Sequence, residues 1–270
     1  MWTLDKRMAR FRESYTDGLD FELCSDADLA DVAPTIYAQA AHGMPGAMSR
    51  DDFVWQQYLG MTGLSHEKPS KARPAVLARS GGEPVGYARY TVKESSEQRV
   101  DTSVLTVHDL CAVTPRASAA MWQFLTGIDL VAKIEAGDRP VHEPLPWLLH
   151  DRRAARQSER ADFQWVAVLD AVAALSGRTY DVPGRSVLSV VGQGTFQIES
   201  DGTSSDVTPT TKAPDVTLPP HALGSTYLGQ MSLTQLFTGG LVEEHTRGGV
   251  AALDALLHHA PTAAIGHTWF

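Results

Sequence analysis

The alternation of apolar and polar positions divides the chain into segments with distinct periods. "WTLDKRMARF" (residues 2–11) is amphipathic and basic, and it begins without a turn signal. "CSDADLADVAPTIYAQAAHG" reads as a capped helix, with Ser25 or Asp26 at the N-cap, acids in the first turn and Gly43 as the stop. A second helix fits "SRDDFVWQQYLGMTG", with Phe53, Tyr58 and Leu59 on its buried side. "PAVLARSGGEPVGYARYTV" is two β-rich runs around Ser80-Gly81-Gly82, a hairpin signal. "SVLTVHDLCAV" is a further strand. Thr114-Pro115 then supplies the N-cap and first position of a helix over "ASAAMWQFLTGIDLV".

A seam rich in proline and charge follows, "GDRPVHEPLPWLLHDRRAARQSERAD", and predicts domains over 1–157 and 158–270. Beyond it, "FQWVAVLDAVAALSGRTY" predicts a strand running into a helix, and "RSVLSVVGQGTFQIESDG" a hairpin on Gly192-Gln193-Gly194. "SSDVTPTTKAPDVTLPP" supplies further strands; "HALGSTYLGQMSLTQLFTGGLV" and "AALDALLHHA" read as short helices. Strands first and helices last specify an α+β domain with helices against one sheet.

Composition narrows the function classes. The 270 residues suit two domains, and 43% hydrophobic with 20% charged residues describes a soluble globular chain. A formal net charge of −9 argues against a nucleic-acid partner, which needs a basic face, and favours cationic ligands. There is no membrane-length apolar run and no signal-peptide core, and Cys24 and Cys111 are too few for a disulfide framework or a thiolate zinc site. A cytoplasmic location is the resulting expectation.

Residue clusters give no self-contained active site. His108 and Cys111, three apart in one strand, should point to opposite faces and cannot chelate a metal together. His258 and His259 diverge by about 100° on a helix and suit its C-terminal end. Glu243, Glu244 and His245 read as a solvated turn before Gly248-Gly249, and "GQG" is a hairpin tip, not a dinucleotide loop. No G-x-S-x-G, P-loop or H-E-x-x-H motif is present. The chain closes on Trp269 and Phe270, large aromatics where termini are usually polar, which points to a docked end.

Five collinear segments, "TPRASAAMWQFLTGIDLV", "RPVHEPLPWLLHDRRAAR", "WVAVLDAVAAL", "ALGSTYLGQMSL" and the closing "TWF", resemble the Eis family (enhanced intracellular survival) of acetyl-CoA-dependent aminoglycoside-type N-acetyltransferases. "PLPWLL" followed by Asp151-Arg152-Arg153 is the strongest match. The resemblance implies a degenerate, central GNAT-like domain within 1–157 and a sterol-carrier-protein-2-like domain over 158–270. An N-terminal catalytic GNAT domain would be missing, with "WTLDKRMARF" as the remnant of its last strand. It also implies a homo-oligomer, hexameric in the family, and an amine substrate.

In that family the C-terminal carboxylate reaches the active site of the N-terminal domain as general base, with a tyrosine of that domain as general acid. Carried over, the carboxylate is that of Phe270, with Trp269 beside it in the substrate cleft. A free α-carboxyl has a pKa of about 3.5, so an electrostatic role in orienting an amine is easier than proton abstraction. The chain itself is expected to bind no acetyl-CoA. "LCAVTPRASAAMW", where the family fold would place the pyrophosphate, holds no glycine, Pro115 removes an amide, and Arg116 reads as solvated. Ala167 and Val172 depart from the family pattern of arginine and proline; Tyr227 matches a family position and reads as packing. The alternative is a stand-alone lipid-binding carrier, with Leu223, Tyr227, Leu233, Leu236, Phe237 and Leu241 lining a tunnel or, at the same spacing, filling an ordinary core.

Overall fold

The computed structural model describes residues 1–42, 44–59, 74–97, 100–162, 164–229 and 231–258. Among the described residues the chain divides into two compact units, one built from Met1–His42 and Ala47–Ala161 and the other from residues 44–46 and the described residues between 162 and 258.

The first unit runs β1 (Trp2–Asp5), β2 (Asp20–Cys24), α1 (Asp26–Ala41), α2 (Asp52–Tyr58), β3 (Ala75–Ser80), β4 (Glu83–Lys93), β5 (Ser96–Glu97), β6 (Val100–Asp101), β7 (Val104–Ala112), α3 (Pro115–Gly127), β8 (Lys133–Ala136), α4 (Leu145–Leu148) and β9 (Ala155–Gln157). Seven strands form one sheet in the order β2-β3-β4-β7-β8-β1-β9, with β5 and β6 a separate small ribbon. Neighbours in the large sheet are antiparallel except β7 and β8. The opening segment is thus an inner strand here: Trp2–Asp5 pairs with β8 on one side and β9 on the other.

Two cores cover the two faces of this sheet. One gathers Leu4, Val107, Leu110, Met121, Trp122 and Leu145 under α3 and α4; the other gathers Leu29, Ile36, Trp55, Leu77 and Tyr87 under α1 and α2. The helix starts follow their caps. Ser25 and Asp28 form a reciprocal capping box on α1, Asp51 caps α2, and Thr114 caps α3 with Pro115 at its first position. The Gly81-Gly82 hairpin turn has both glycines at positive φ, as a tight two-residue turn requires. On α2 the buried face is carried by Trp55 and Leu59, while Phe53, read as buried, is 61% exposed.

The second unit runs α5 (Ala171–Ser176), β10 (Pro183–Val190), β11 (Gly194–Asp201), β12 (Ser205–Pro209), β13 (Val216–Leu218), α6 (Pro220–Tyr227), α7 (Leu233–Thr238), β14 (Glu243–Glu244) and α8 (Gly249–Leu257). Its sheet has the order β12-β11-β10-β13-β14. The expected hairpin on Gly192–Gly194 joins β10 and β11. The expected strand before α5 is absent among the described residues 164–170, where Trp165 and Leu169 are exposed and Val168 alone enters the core. Glu243-Glu244, read as a turn, is a short edge strand paired to β13.

Candidate functional site

β7 and β8 are the parallel pair of the first sheet, and α3 follows β7. Ligands of parallel strands sit beyond the carboxyl ends, where the N-terminus of the next helix offers amides to an anion. Here two of the first three are spent or missing. Pro115 has no N–H, and the Ala117 N–H is taken by Thr114 Oγ1 at 3.1 Å. Arg116 is exposed and donates from Nη2 to the Ser14 carbonyl at 3.3 Å.

A buried ion pair contacts both β7 and α3. Arg139 Nε donates to Glu143 Oε2 at 2.9 Å, Arg139 Nη1 donates to the Leu110 carbonyl, and Trp122 Nε1 donates to Glu143 Oε1 at 3.0 Å. Burial opposes the charge on Arg139, but Glu143 outweighs it and raises the guanidinium pKa. Arg139 is thus committed to Glu143.

A second cluster lies on the α1–α2 face, and a β-bulge creates it. The β4–β7 pairing runs Arg89↔Asp109 and then Tyr90↔Val107, so His108 is an extra residue. The bulge inverts the alternation along β7: Leu105 and Val107 face the α3 core, whereas Cys111 and Val113 face α1 and α2. Asp109 accordingly meets Tyr87, whose hydroxyl donates to its Oδ2 at 2.6 Å. His108 is held by a contact of 2.8 Å between its Nε2 and Thr91 Oγ1.

Arg50, just before the cap of α2, sends its guanidinium into this cluster. Its Nη1 lies 3.5 Å from Asp109 Oδ2 and 3.5 Å from the Tyr87 hydroxyl. Its central carbon stands 4.0 Å from the Tyr37 ring centre, 4.1 Å from that of Tyr58 and 4.8 Å from that of Trp55. Arg89 braces the arrangement from the sheet. It donates to Asp26 at the start of α1 at 2.7 Å and to the Leu59 carbonyl at the end of α2 at 3.1 Å.

Electrostatics hold the phenols and the thiol of this cluster in their neutral forms. Burial and then the charge of Asp109 hold the Tyr58 and Tyr87 hydroxyls well above the usual phenol range, and push the Cys111 thiol up to about 12. Burial works against the charge of Arg50, yet Asp109 and the tyrosines keep it protonated. No tyrosine or thiol here ionises near neutrality, so none is a base or an activated nucleophile. The cluster was not read from the sequence, because the bulge that turns Asp109 inward leaves no mark in an ordinary strand pattern.

The second unit places the remaining residues. Leu223 and Leu233 are fully buried, Leu236 packs on the same core, and the Tyr227 hydroxyl donates to the Ala174 carbonyl at 3.0 Å. Phe237 and Leu241 are 41% and 46% exposed, so these six residues fill a core and its rim. Val172 packs against that core and Ala167 is exposed. Glu244 accepts the Val250 N–H at 3.0 Å, and His245 Nε2 pairs with Thr217 Oγ1 at 2.9 Å. His258 follows the last residue of α8; His259, Trp269 and Phe270 lie outside the described residues. No group of three His, Cys, Asp or Glu among the described residues could hold a metal, and no described helix is long and apolar enough to cross a membrane.

Comparison with known proteins gives this arrangement a class. Residues 46–167 match the family described as Acetyltransferase (GNAT) domain, and residues 171–264 match that described as Sterol carrier protein domain. The chain therefore joins a GNAT-like domain to a sterol-carrier-like one in an α+β architecture. It is 31% identical over 265 residues to an uncharacterized N-acetyltransferase of Streptomyces avermitilis, covering 95% of this chain and 63% of that protein. It is 31% identical over 236 residues to N-acetyltransferase Eis of Mycobacterium tuberculosis, covering 84% of this chain and 55% of that protein. The crystal structure of Eis1 from Mycobacterium abscessus superposes with a TM-score of 0.83 at 29% identity, over 100% of this chain and 66% of that one. The chain belongs to the Eis family of GNAT N-acetyltransferases, and spans about two thirds or less of the length of these relatives.

Proposed function

We propose that the chain is the C-terminal region of an Eis-type, acetyl-CoA-dependent N-acetyltransferase acting on amines of aminoglycoside or polyamine type. In this reading residues 1–157 hold the opening strand and the GNAT-like domain, and 158–270 the sterol-carrier-like domain. Together they shape the substrate cleft and the homo-oligomer of a cytoplasmic enzyme. Acetyl-CoA supplies the acetyl thioester at a separate, N-terminal GNAT domain, and this chain does not bind it. The observation that carries this division of labour is the β7–α3 junction, glycine-free, with Pro115 lacking an amide and the Ala117 amide held by Thr114. The net charge of −9 favours a cationic acceptor.

The C-terminal carboxylate of Phe270 serves as a fixed anion that draws in and orients the acceptor ammonium, with the Trp269 ring as its apolar anchor. With a carboxyl pKa of about 3.5, this role needs no proton transfer near neutrality. The packing of Leu223 and Leu233 into a closed core weighs against the lipid-carrier alternative. Calorimetric titration of acetyl-CoA into the 270-residue chain tests the reading. No heat of binding is expected, whereas stoichiometric binding overturns it. Saturable displacement of a fluorescent fatty acid would favour the carrier instead.

A further inference from the structure

The Arg50 cluster plays no part in the function proposed above. Three aromatic rings, Tyr37 from α1 and Trp55 and Tyr58 from α2, surround one guanidinium, and Asp109 lies at one of its edges. The Arg50 side chain is only 2% exposed. Such a box of π-faces with one carboxylate is how proteins recognise organic cations.

The occupant fits the charge of the box but not its hydrogen-bonding capacity. A guanidinium carries five N–H donors in a rigid fork. Nη1 lies 3.5 Å from both the Tyr87 hydroxyl and Asp109 Oδ2, the long limit of a hydrogen bond. Nε and Nη2 are buried and have no partner among the described residues. Buried donors of a charged group without acceptors are costly. An alkylammonium suits the same box better: its compact charge faces the rings, and fewer donors need only Asp109 and the Tyr87 hydroxyl. Arg50 comes from the α1–α2 connection and not from a helix or strand, so it can leave without unwinding either element.

We propose that Tyr37, Trp55, Tyr58 and Asp109 form a binding site for a small organic ammonium ion, and that Arg50 is its tethered internal occupant, displaced when an external amine binds. Because the tether gives Arg50 a high effective concentration, an external amine binds the unmodified chain more weakly than a chain lacking the arginine.

The test uses the full 270-residue chain and n-propylammonium chloride, with methylguanidinium chloride and sodium chloride at matched ionic strength. Calorimetry on Arg50→Ala and Arg50→Met is expected to show saturable, equimolar propylammonium binding. It should be about tenfold or more tighter than in the unmodified chain, and tighter than that of methylguanidinium. Adding Asp109→Asn should weaken it about tenfold again. In the unmodified chain, propylammonium should increase phenylglyoxal labelling of Arg50, read by mass spectrometry; this arm stands even if neither Arg50 variant folds. Absence of saturable binding in a folded Arg50 variant, binding indifferent to Asp109, or Arg50 labelling unchanged by the amine overturns the proposal.

Discussion

Asp254 sits within α8, yet the helix it stabilises is α7. Its carboxylate accepts from Ser232 Oγ at 2.6 Å, Leu233 N at 2.7 Å, Thr234 N at 3.2 Å and Thr234 Oγ1 at 2.6 Å. The first two amides of α7 are thereby capped from another helix, while Ser232, at the N-cap position, makes no side-chain cap of its own. Asp254→Ala removes a cap, worth about 1 kcal/mol, together with charge-assisted bonds worth about 1.5–3 kcal/mol each when buried. Asp254 is only partly buried and water replaces some of these bonds, so the expected loss is about 2–3 kcal/mol.

For a unit of this size that lowers Tm by roughly 10 °C or more. The loss should also depend on acid. Burial opposes ionisation of Asp254, but the hydrogen bonds from Ser232 and Thr234 outweigh it and lower the pKa. A carboxyl depressed in the folded state stabilises fully above its unfolded pKa of about 3.9, and that contribution disappears as pH falls through the folded value. Urea unfolding followed by circular dichroism at pH 7 and pH 3 should therefore show a large gap between Asp254→Ala and the parent at pH 7 and a smaller one at pH 3. A loss below about 0.5 kcal/mol at pH 7, or a gap that does not narrow in acid, would refute the capping argument.

Further outcomes follow from other contacts. A Cβ on Gly224 would stand 2.2 Å from the Val166 carbonyl oxygen, so Gly224→Ala must displace the backbone before α5; about 1–3 kcal/mol of destabilisation is expected in thermal unfolding. Glu143→Ala leaves the buried Arg139 without its counter-ion and Trp122 Nε1 without an acceptor, and should cost about 3–5 kcal/mol by denaturant titration. Burial and neighbouring acids push the Cys24 thiol up to about 11, and burial with Asp109 pushes Cys111 up to about 12. Both should react slowly with a disulfide reagent at pH 8 in the folded chain and at ordinary rates after unfolding.

Local punctuation made much of this fold legible. The Ser25 cap, the Gly81-Gly82 turn, Thr114-Pro115 and the Gly192–Gly194 turn each fall where a backbone group needs a partner or a positive φ, and each begins or joins the element expected of it. Where tertiary packing decides, periodicity misled. Phe53 lies on the wrong side of the short α2, whose buried side is set by Trp55 and Leu59 four apart. The apolar run before α5 has strand composition but pairs with no strand among the described residues. His108 and Cys111 were placed by strict alternation, which the bulge beside Asp109 breaks. The Arg50 cluster stayed hidden for the same reason, since its members come from two helices, a connection and two strands.

The position of β1 has a consequence for how the first unit is made. Trp2 faces Ala136 of β8 and Gln157 of β9, so within this unit the strand meets its partners only after more than a hundred further residues have left the ribosome. Closing so long a loop is entropically unfavourable, and contacts of this separation slow folding. This end of the sheet, β8-β1-β9, is completed only when the two late strands arrive. Chaperone dependence and a slow refolding phase should thus follow disturbance of β1 more than of the β3–β4 hairpin, whose partners emerge together.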